Sequence, residues 1–123
     1  MSVQPSLQDF IRDHVDTIET LEILLLLQRG PDTFWTSSAI DSHIGMKEGT
    51  ADKRLQGLVR SGLVARGTSG GYRFMPQTPE QRELVSMLAT AYAERRASVV
   101  NTVFSENLAR LRAFSDAFKV KKP

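Results

Sequence analysis

The segment from Trp35 to Phe74 constrains the fold most, because it places two short helical patterns around one glycine. Thr36 to Ser38 offer N-cap oxygens to the first helix, whose short apolar side consists of Ala39, Ile40 and Ile44. Gly45 stands where a sharp turn between two helices needs an unhindered backbone. A second helix, at about residues 48–61, carries one apolar stripe at i, i+4, i+7 and i+8, formed by Ala51, Leu55, Leu58 and Val59.

The same segment ends in the pattern of a two-stranded hairpin. Gly62 predicts the end of the second helix, and an extended run from Leu63 to Arg66 follows it. Gly67 to Gly71 turns the chain, and Tyr72-Arg73-Phe74 returns with both aromatic side chains on one side. The order of helix, tight turn, helix and hairpin predicts a winged helix-turn-helix.

The motif resembles that of the MarR-like and other bacterial winged-helix transcriptional regulators. The matching residues are the turn and helix start, Gly45-Met46-Lys47-Glu48-Gly49-Thr50-Ala51, and the helix exit, Arg60-Ser61-Gly62-Leu63-Val64. The resemblance implies a DNA-binding transcriptional regulator that reads the major groove with its second motif helix. Winged helices also serve as protein-docking modules, so a protein-protein interaction module without strong DNA binding is the alternative.

Helical patterns precede the motif. The first is predicted over Leu7–His14 with Ser6 as its cap, and the second begins in a capping box at Asp16–Glu19. This second helix is apolar nearly all round from Leu21 to Leu27, and Gly30 marks its end. Such a helix is typical of the buried spine of a small α-rich domain, and a partner surface is the alternative.

Helical patterns also follow the motif. Thr78 as N-cap, Pro79 at the first position and Gln81 at the capping-box position predict a helix start. Apolar residues recur at helical spacing for about 26 residues, and a break is expected at Ser105-Glu106-Asn107. A second stripe is then formed by Leu108, Leu111, Phe114 and Phe118. These two helices predict a homodimer interface, although they can instead, or in addition, fold back on the N-terminal helix of the same subunit.

Composition and length are those of one globular domain of 123 residues, mainly α with a small β wing. We divide it into an N-terminal helical region (1–31), the winged helix-turn-helix (32–76) and C-terminal helices (77–123). The absence of cysteine excludes disulfides and thiolate metal ligands. We expect no signal peptide, because the N-terminus lacks a basic region followed by an apolar segment. The longest apolar run, Ile23 to Leu27, is too short to span a bilayer, so we expect no membrane partner and a cytoplasmic location.

Charge is unevenly distributed along the chain. Residues 1–34 carry two basic and six acidic side chains, residues 35–76 six and three, and residues 77–123 eight and five. The positive charge that a polyanion requires therefore lies on the motif and the C-terminal region. Opposite the apolar stripe of the second motif helix, Lys53, Gln56, Gly57 and Arg60 form a face without acids; Glu48 is expected in the first turn and Asp52 on the flank.

The wing has no charge at its tip, although Arg66 and Arg73 flank the hairpin and can reach phosphates from its base. The predicted DNA-binding residues are Lys47, Thr50, Lys53, Arg54, Gln56, Arg60, Arg66 and Arg73. The two histidines lie in separate elements, and no glycine-rich loop precedes a helix as in a P-loop. We therefore expect no enzyme, catalytic residue, cofactor or metal, and as partners double-stranded DNA, a second copy and, in the alternative, a regulatory protein.

Overall fold

The computed structural model describes residues 4–120, and for residues 114–120 it gives only the path of the helix. Mainly helical, it contains one two-stranded antiparallel sheet, which confirms the fold class expected from the sequence. Its elements are α1 (Pro5–His14), α2 (Ile18–Arg29), α3 (Ser37–Ile44), α4 (Thr50–Arg60), β1 (Val64–Arg66), β2 (Tyr72–Phe74), α5 (Pro79–Glu94) and α6 (Arg96–Val120).

Helix α2 lies at the centre of the core. It contacts α3, α4, β2 and α5, and every side chain from Ile23 to Leu27 is buried, as expected for a spine helix. Its N-cap is Thr17, whose hydroxyl accepts a hydrogen bond from Thr20 N at 3.1 Å. The capping-box interpretation of Asp16–Glu19 was therefore wrong by one residue, because Thr20 rather than Glu19 occupies the third position.

Helix α1 begins earlier than its sequence pattern predicted. Its first residue is Pro5, and Gln4 occupies the N-cap position without a side-chain hydrogen bond. Ser6 is therefore inside the first turn and does not cap the helix. Proline is favoured at the first helical position because it has no N–H to leave unpaired and its φ angle is already helical.

The helix-turn-helix is built as expected at its turn. Thr36 caps α3 by accepting from Ala39 N at 3.2 Å, and Gly45 ends it with φ of 86°, in the left-handed region that favours glycine. Two residues of the predicted apolar faces are exposed, however, namely Ala39 on α3 and Val59 on α4. Both lie at the edges of their stripes, where the neighbouring helices no longer cover them.

The hairpin pairs Val64 with Phe74 and Arg66 with Tyr72, so both aromatic side chains of β2 enter the core. The Trp35 side chain is partly buried and packs against the hydrophobic core. Its backbone forms an isolated antiparallel bridge to the hairpin, since its N and O exchange hydrogen bonds with Tyr72 at 2.8 and 2.7 Å. These bonds attach the chain before α3 to the hairpin and fix the wing relative to the helix-turn-helix.

The C-terminal helices divide at a different point from the predicted one. Thr78 caps α5 and accepts from Gln81 N at 3.1 Å, which confirms the start signal. The break falls at Arg95, with φ of −137°, and α6 then continues unbroken through Ser105-Glu106-Asn107. The reason is tertiary packing: the change of direction lets α6 lie against α1 and α5 and buries Val99 and Val103 completely or nearly so.

Candidate nucleic-acid interface

The orientation of α4 follows from its buried residues. Ala51, Leu55 and Leu58 are fully buried, whereas Val59 remains 38% exposed. At about 100° per residue, the centre of the buried side therefore lies close to Ala51, and Val59 lies at its edge. The opposite, outward side is then centred on Lys53 and Arg60, with Gln56 beside them, and the structure exposes all three side chains.

The charges of this outward side are free to meet a ligand. Neither Lys53 nor Arg60 makes an ion pair or a side-chain hydrogen bond within the described part of the chain. Glu48 lies outside the helix, because α4 begins at Thr50 rather than at the predicted residue 48. Asp52 is on the flank, so the outward side presents cations and an amide without an intervening carboxylate.

A residue that the sequence interpretation missed, Asp41 of α3, fixes the start of α4. Gly49, the N-cap of α4, adopts φ of 91° and has no side chain to cap the helix. The Asp41 carboxylate, which is 5% exposed, accepts hydrogen bonds from Gly49 N at 2.9 Å and from Ala51 N at 2.8 Å. A carboxylate also suits the positive end of the helix dipole. The sequence signal that could have revealed this capping role is an acid next to the apolar residues of α3, shortly before a helix that starts at a glycine.

Arg54 is occupied by a contact within the protein. Its Nη2 lies 3.0 Å from Glu19 Oε1, and its Nε donates to the same oxygen at 3.1 Å. This pair connects α4 to α2 on the flank of the outward side. Unlike Lys53 and Arg60, Arg54 is therefore paired with an acid of its own chain.

The other predicted residues surround α4. Lys47 is exposed in the turn before α4, where its carbonyl accepts from Thr50 N at 3.1 Å, and Thr50 is half-buried. In the wing, the Arg66 guanidinium lies 5.9 Å from the Tyr72 ring centre, and that of Arg73 lies 5.4 Å from Phe34. Both arginines thus lie along the hairpin and away from its uncharged tip.

A groove of about 480 Å³ separates α4 from the turn between α1 and α2. Its α4 wall is formed by Lys53, Arg54, Gly57 and Arg60, followed by Ser61. The opposite wall contributes Arg12, Asp13, His14, Val15, Asp16, Thr20 and Arg110. The groove is therefore lined by five cationic side chains and two carboxylates. In the described residues, no cluster of acids and histidines could hold a metal ion, and no helix is long and apolar enough to cross a membrane.

Comparison with solved structures identifies the same fold elsewhere. The crystal structure of a mutant of MepR from a multidrug resistant S. aureus clinical isolate superposes with a TM-score of 0.51. The alignment covers 96% of this chain and 88% of that chain at 15% sequence identity. MepR is a MarR-family regulator, so this likeness confirms the resemblance that the motif suggested, at the level of the fold. No protein-family model and no curated protein sequence matches the chain.

Proposed function

We propose that the protein is a DNA-binding transcriptional regulator, which reads the major groove with α4. The observation that carries the proposal is the outward side of α4, where Lys53, Gln56 and Arg60 are exposed. Within the described residues, neither cation forms an ion pair with an acid. A helix is about 10–12 Å across with its side chains, which matches a major groove about 12 Å wide. The proposal assigns no catalytic step and no cofactor to the chain, and it implies the cytoplasmic location expected from the sequence.

The two cations receive different roles from their positions along α4. Lys53 lies in the first turn, which is the part of a recognition helix that reaches base edges. Arg60 is the last residue of the helix, about 10 Å further along the axis, and is assigned to the phosphate backbone. Gln56 lies between them and can donate to and accept from a base. Lys47, Thr50, Arg66 and Arg73 border this face and are assigned to flanking phosphates.

Charge reversal tests the proposal. Lys53→Glu and Arg60→Glu should each weaken binding to duplex DNA, and each lost phosphate contact should reduce the salt dependence of log K by about one unit. A lost base contact should instead cost about 1–3 kcal/mol and relax sequence preference. The measurement is fluorescence anisotropy with genomic fragments over a salt titration. Arg29→Glu, an equal charge change at an exposed residue of α2 that does not line the groove beside α4, is the matched control and should have little effect.

The proposal also includes a homodimer. Phe104, Leu108 and Leu111 form a stripe along α6, and their exposed fractions are 56%, 54% and 56%. Three large apolar side chains in a row on one helix face are typical of a protein-protein interface. A regulator with two copies of α4 can bind two half-sites, which a monomer cannot do.

One observation favours the alternative function, a winged-helix module that binds a regulatory protein. The wing tip, Gly67–Gly71, carries no charge, and Phe34 beside it is 52% exposed. If both charge reversals left DNA affinity unchanged, and the intact protein still bound a protein partner, the interaction module would replace the DNA-binding regulator.

A further inference from the structure

Gly57 has no structural reason to be glycine in the free protein. It lies inside α4, where glycine is less favourable than alanine by about 1 kcal/mol. Its φ is helical, so its backbone can be adopted by any residue. Among the described residues, a Cβ at this position would come near only the flexible end of Arg60, with Nη2 at 3.9 Å. The fold therefore accommodates a methyl group here without rearrangement.

The position of Gly57 suggests what the missing side chain leaves room for. Lys53, Gly57 and Arg60 follow one another along one side of α4, and all three line the groove of about 480 Å³. The two cations thus flank a bare stretch of helix backbone. The Gly57 carbonyl is already bonded to Ser61 N at 3.0 Å, so the glycine contributes space rather than a hydrogen bond.

The remaining charges of the groove are arranged so that an anion would lie on the α4 wall. On the opposite wall, Asp13 pairs with Arg12 at 3.3 Å, and Asp16 accepts from the Thr20 hydroxyl at 2.9 Å. These two carboxylates offset the charges of Arg12 and Arg110, so the opposite wall has no net positive charge to draw an anion away from α4. Lys53 and Arg60 have no such partners and can approach an anion closely, since charge-assisted hydrogen bonds to phosphate oxygens are short and strong.

We infer that Gly57 is the floor of a phosphate-binding seat on α4, with Lys53 and Arg60 as its two cationic sides. The ligand is a phosphoryl group, either in the backbone of a DNA duplex or in a free phosphorylated molecule. A side chain at position 57 would hold the phosphate away from both cations. With DNA as the source of phosphate, this inference rests on the proposed function but reassigns Lys53 from a base edge to the phosphate backbone. With a free phosphorylated ligand, it does not rest on the proposed function.

Gly57→Ala tests the seat with little risk to the fold, and Val59→Ala is the matched control. Both substitutions raise the helix propensity of α4, but only the first adds a methyl group to the groove. Gly57→Ala should melt at a higher temperature than the wild type. Val59→Ala gains helix propensity but loses partly buried apolar surface, so its melting temperature should change little. Gly57→Ala should bind a random-sequence duplex about tenfold more weakly, the size of one lost charge-assisted contact, while Val59→Ala should bind as the wild type does.

A second measurement separates the two sources of phosphate. The melting temperature of each protein is followed with inorganic phosphate, against chloride at equal ionic strength. If the wild type binds no duplex, the proposed function fails. Stabilisation of the wild type by phosphate that Gly57→Ala abolishes would then still support a seat for a free ligand. Equal behaviour of Gly57→Ala and the wild type in both measurements would overturn the seat.

Discussion

The carboxylate of Asp41 determines where α4 begins. Helix starts leave backbone N–H groups unpaired, and a side chain just before the helix usually satisfies them. Gly49 cannot do so, and Asp41 reaches across from α3 to bond Gly49 N and Ala51 N. Because Asp41 belongs to one helix of the motif and caps the other, it also links the two helices.

Removal of this cap should therefore destabilise the protein. Asp41→Ala leaves two N–H groups without acceptors in a buried place, which costs about 1–3 kcal/mol. Asp41→Asn keeps one carbonyl oxygen as an acceptor and should lose less. Urea unfolding measures both free energies. Equal stability of the alanine variant and the wild type would show that solvent replaces the carboxylate and that the cap is dispensable.

His14 should make the free energy of unfolding depend on pH. Burial lowers the pKa of its imidazole below the ordinary 6.5, and the nearby Asp13 carboxylate raises it by a smaller amount. The ring lies 4.8 Å from that of Phe10, and its Nδ1 has no hydrogen-bond partner among the described residues. The neutral form is therefore favoured in the folded state.

The sign of the effect follows from linkage. Well above pH 6.5 the imidazole is neutral in both states and contributes no slope. As the pH falls, the unfolded chain takes up a proton before the folded chain does, so the free energy of unfolding decreases until the folded pKa is passed. Urea unfolding at pH 7.5 and 5.5, in the wild type and in His14→Gln, measures the difference. An identical loss in both proteins would exclude His14 as the cause.

Between elements, the Arg54–Glu19 pair joins α4 to α2 at 3.0 Å. Since both side chains are partly exposed, water screens the pair and its contribution is at most about 1 kcal/mol. Arg54→Ala and Glu19→Ala should lower stability by similar amounts, and the double variant should lose less than the sum. The measurement is a double-mutant cycle in urea.

The same variants decide whether Arg54 also contacts DNA. If the ion pair accounts for its role, Arg54→Ala should reduce duplex affinity less than Lys53→Ala does. A loss as large as that of Lys53→Ala would instead restore Arg54 to the interface that the sequence assigned to it.

Local sequence signals, which act between residues close together in the chain, predicted most helix and strand boundaries. Thr36, Gly45 and Thr78 act through hydrogen bonds or backbone angles within a few residues, and each marks a helix end where expected. The division between α5 and α6 depends on distant contacts instead. No glycine or proline marks Arg95, and the packing of Val99 and Val103 against the rest of the core places the turn there.

The candidate site shows the same limit. Helical spacing predicted that Leu55 and Lys53 lie on opposite sides of α4. The exposure of Val59 was not, because it depends on what neighbouring elements fail to cover. The cap from Asp41 and the pairing of Arg54 likewise cross between helices. Sequence therefore indicated which side of α4 is turned outward, and the structure adds which of its side chains make no contact with an acid.

Over the whole molecule, the wing and α4 contribute unequally to the proposed DNA interface. The hairpin keeps its arginines against Tyr72 and Phe34, and its tip is uncharged. Affinity for a polyanion must then come mainly from α4, whose own cations are few. Two copies of α4 on one duplex would compensate, because linked sites bind with a high effective concentration.

Two copies require an interface, and α6 presents the stripe for it. Leu108→Glu and Leu111→Glu should convert a dimer to a monomer, because a charge buried in an apolar interface is costly without a partner. The stripe is more than half exposed in the single chain, so neither substitution should unfold it. Sedimentation velocity at micromolar concentrations measures the mass, and Ala109→Glu, which adds the same charge to another exposed face of α6, should remain dimeric. A wild-type protein that sediments as a monomer at these concentrations would rule out this interface, and the affinity for DNA would then have to come from one α4 alone.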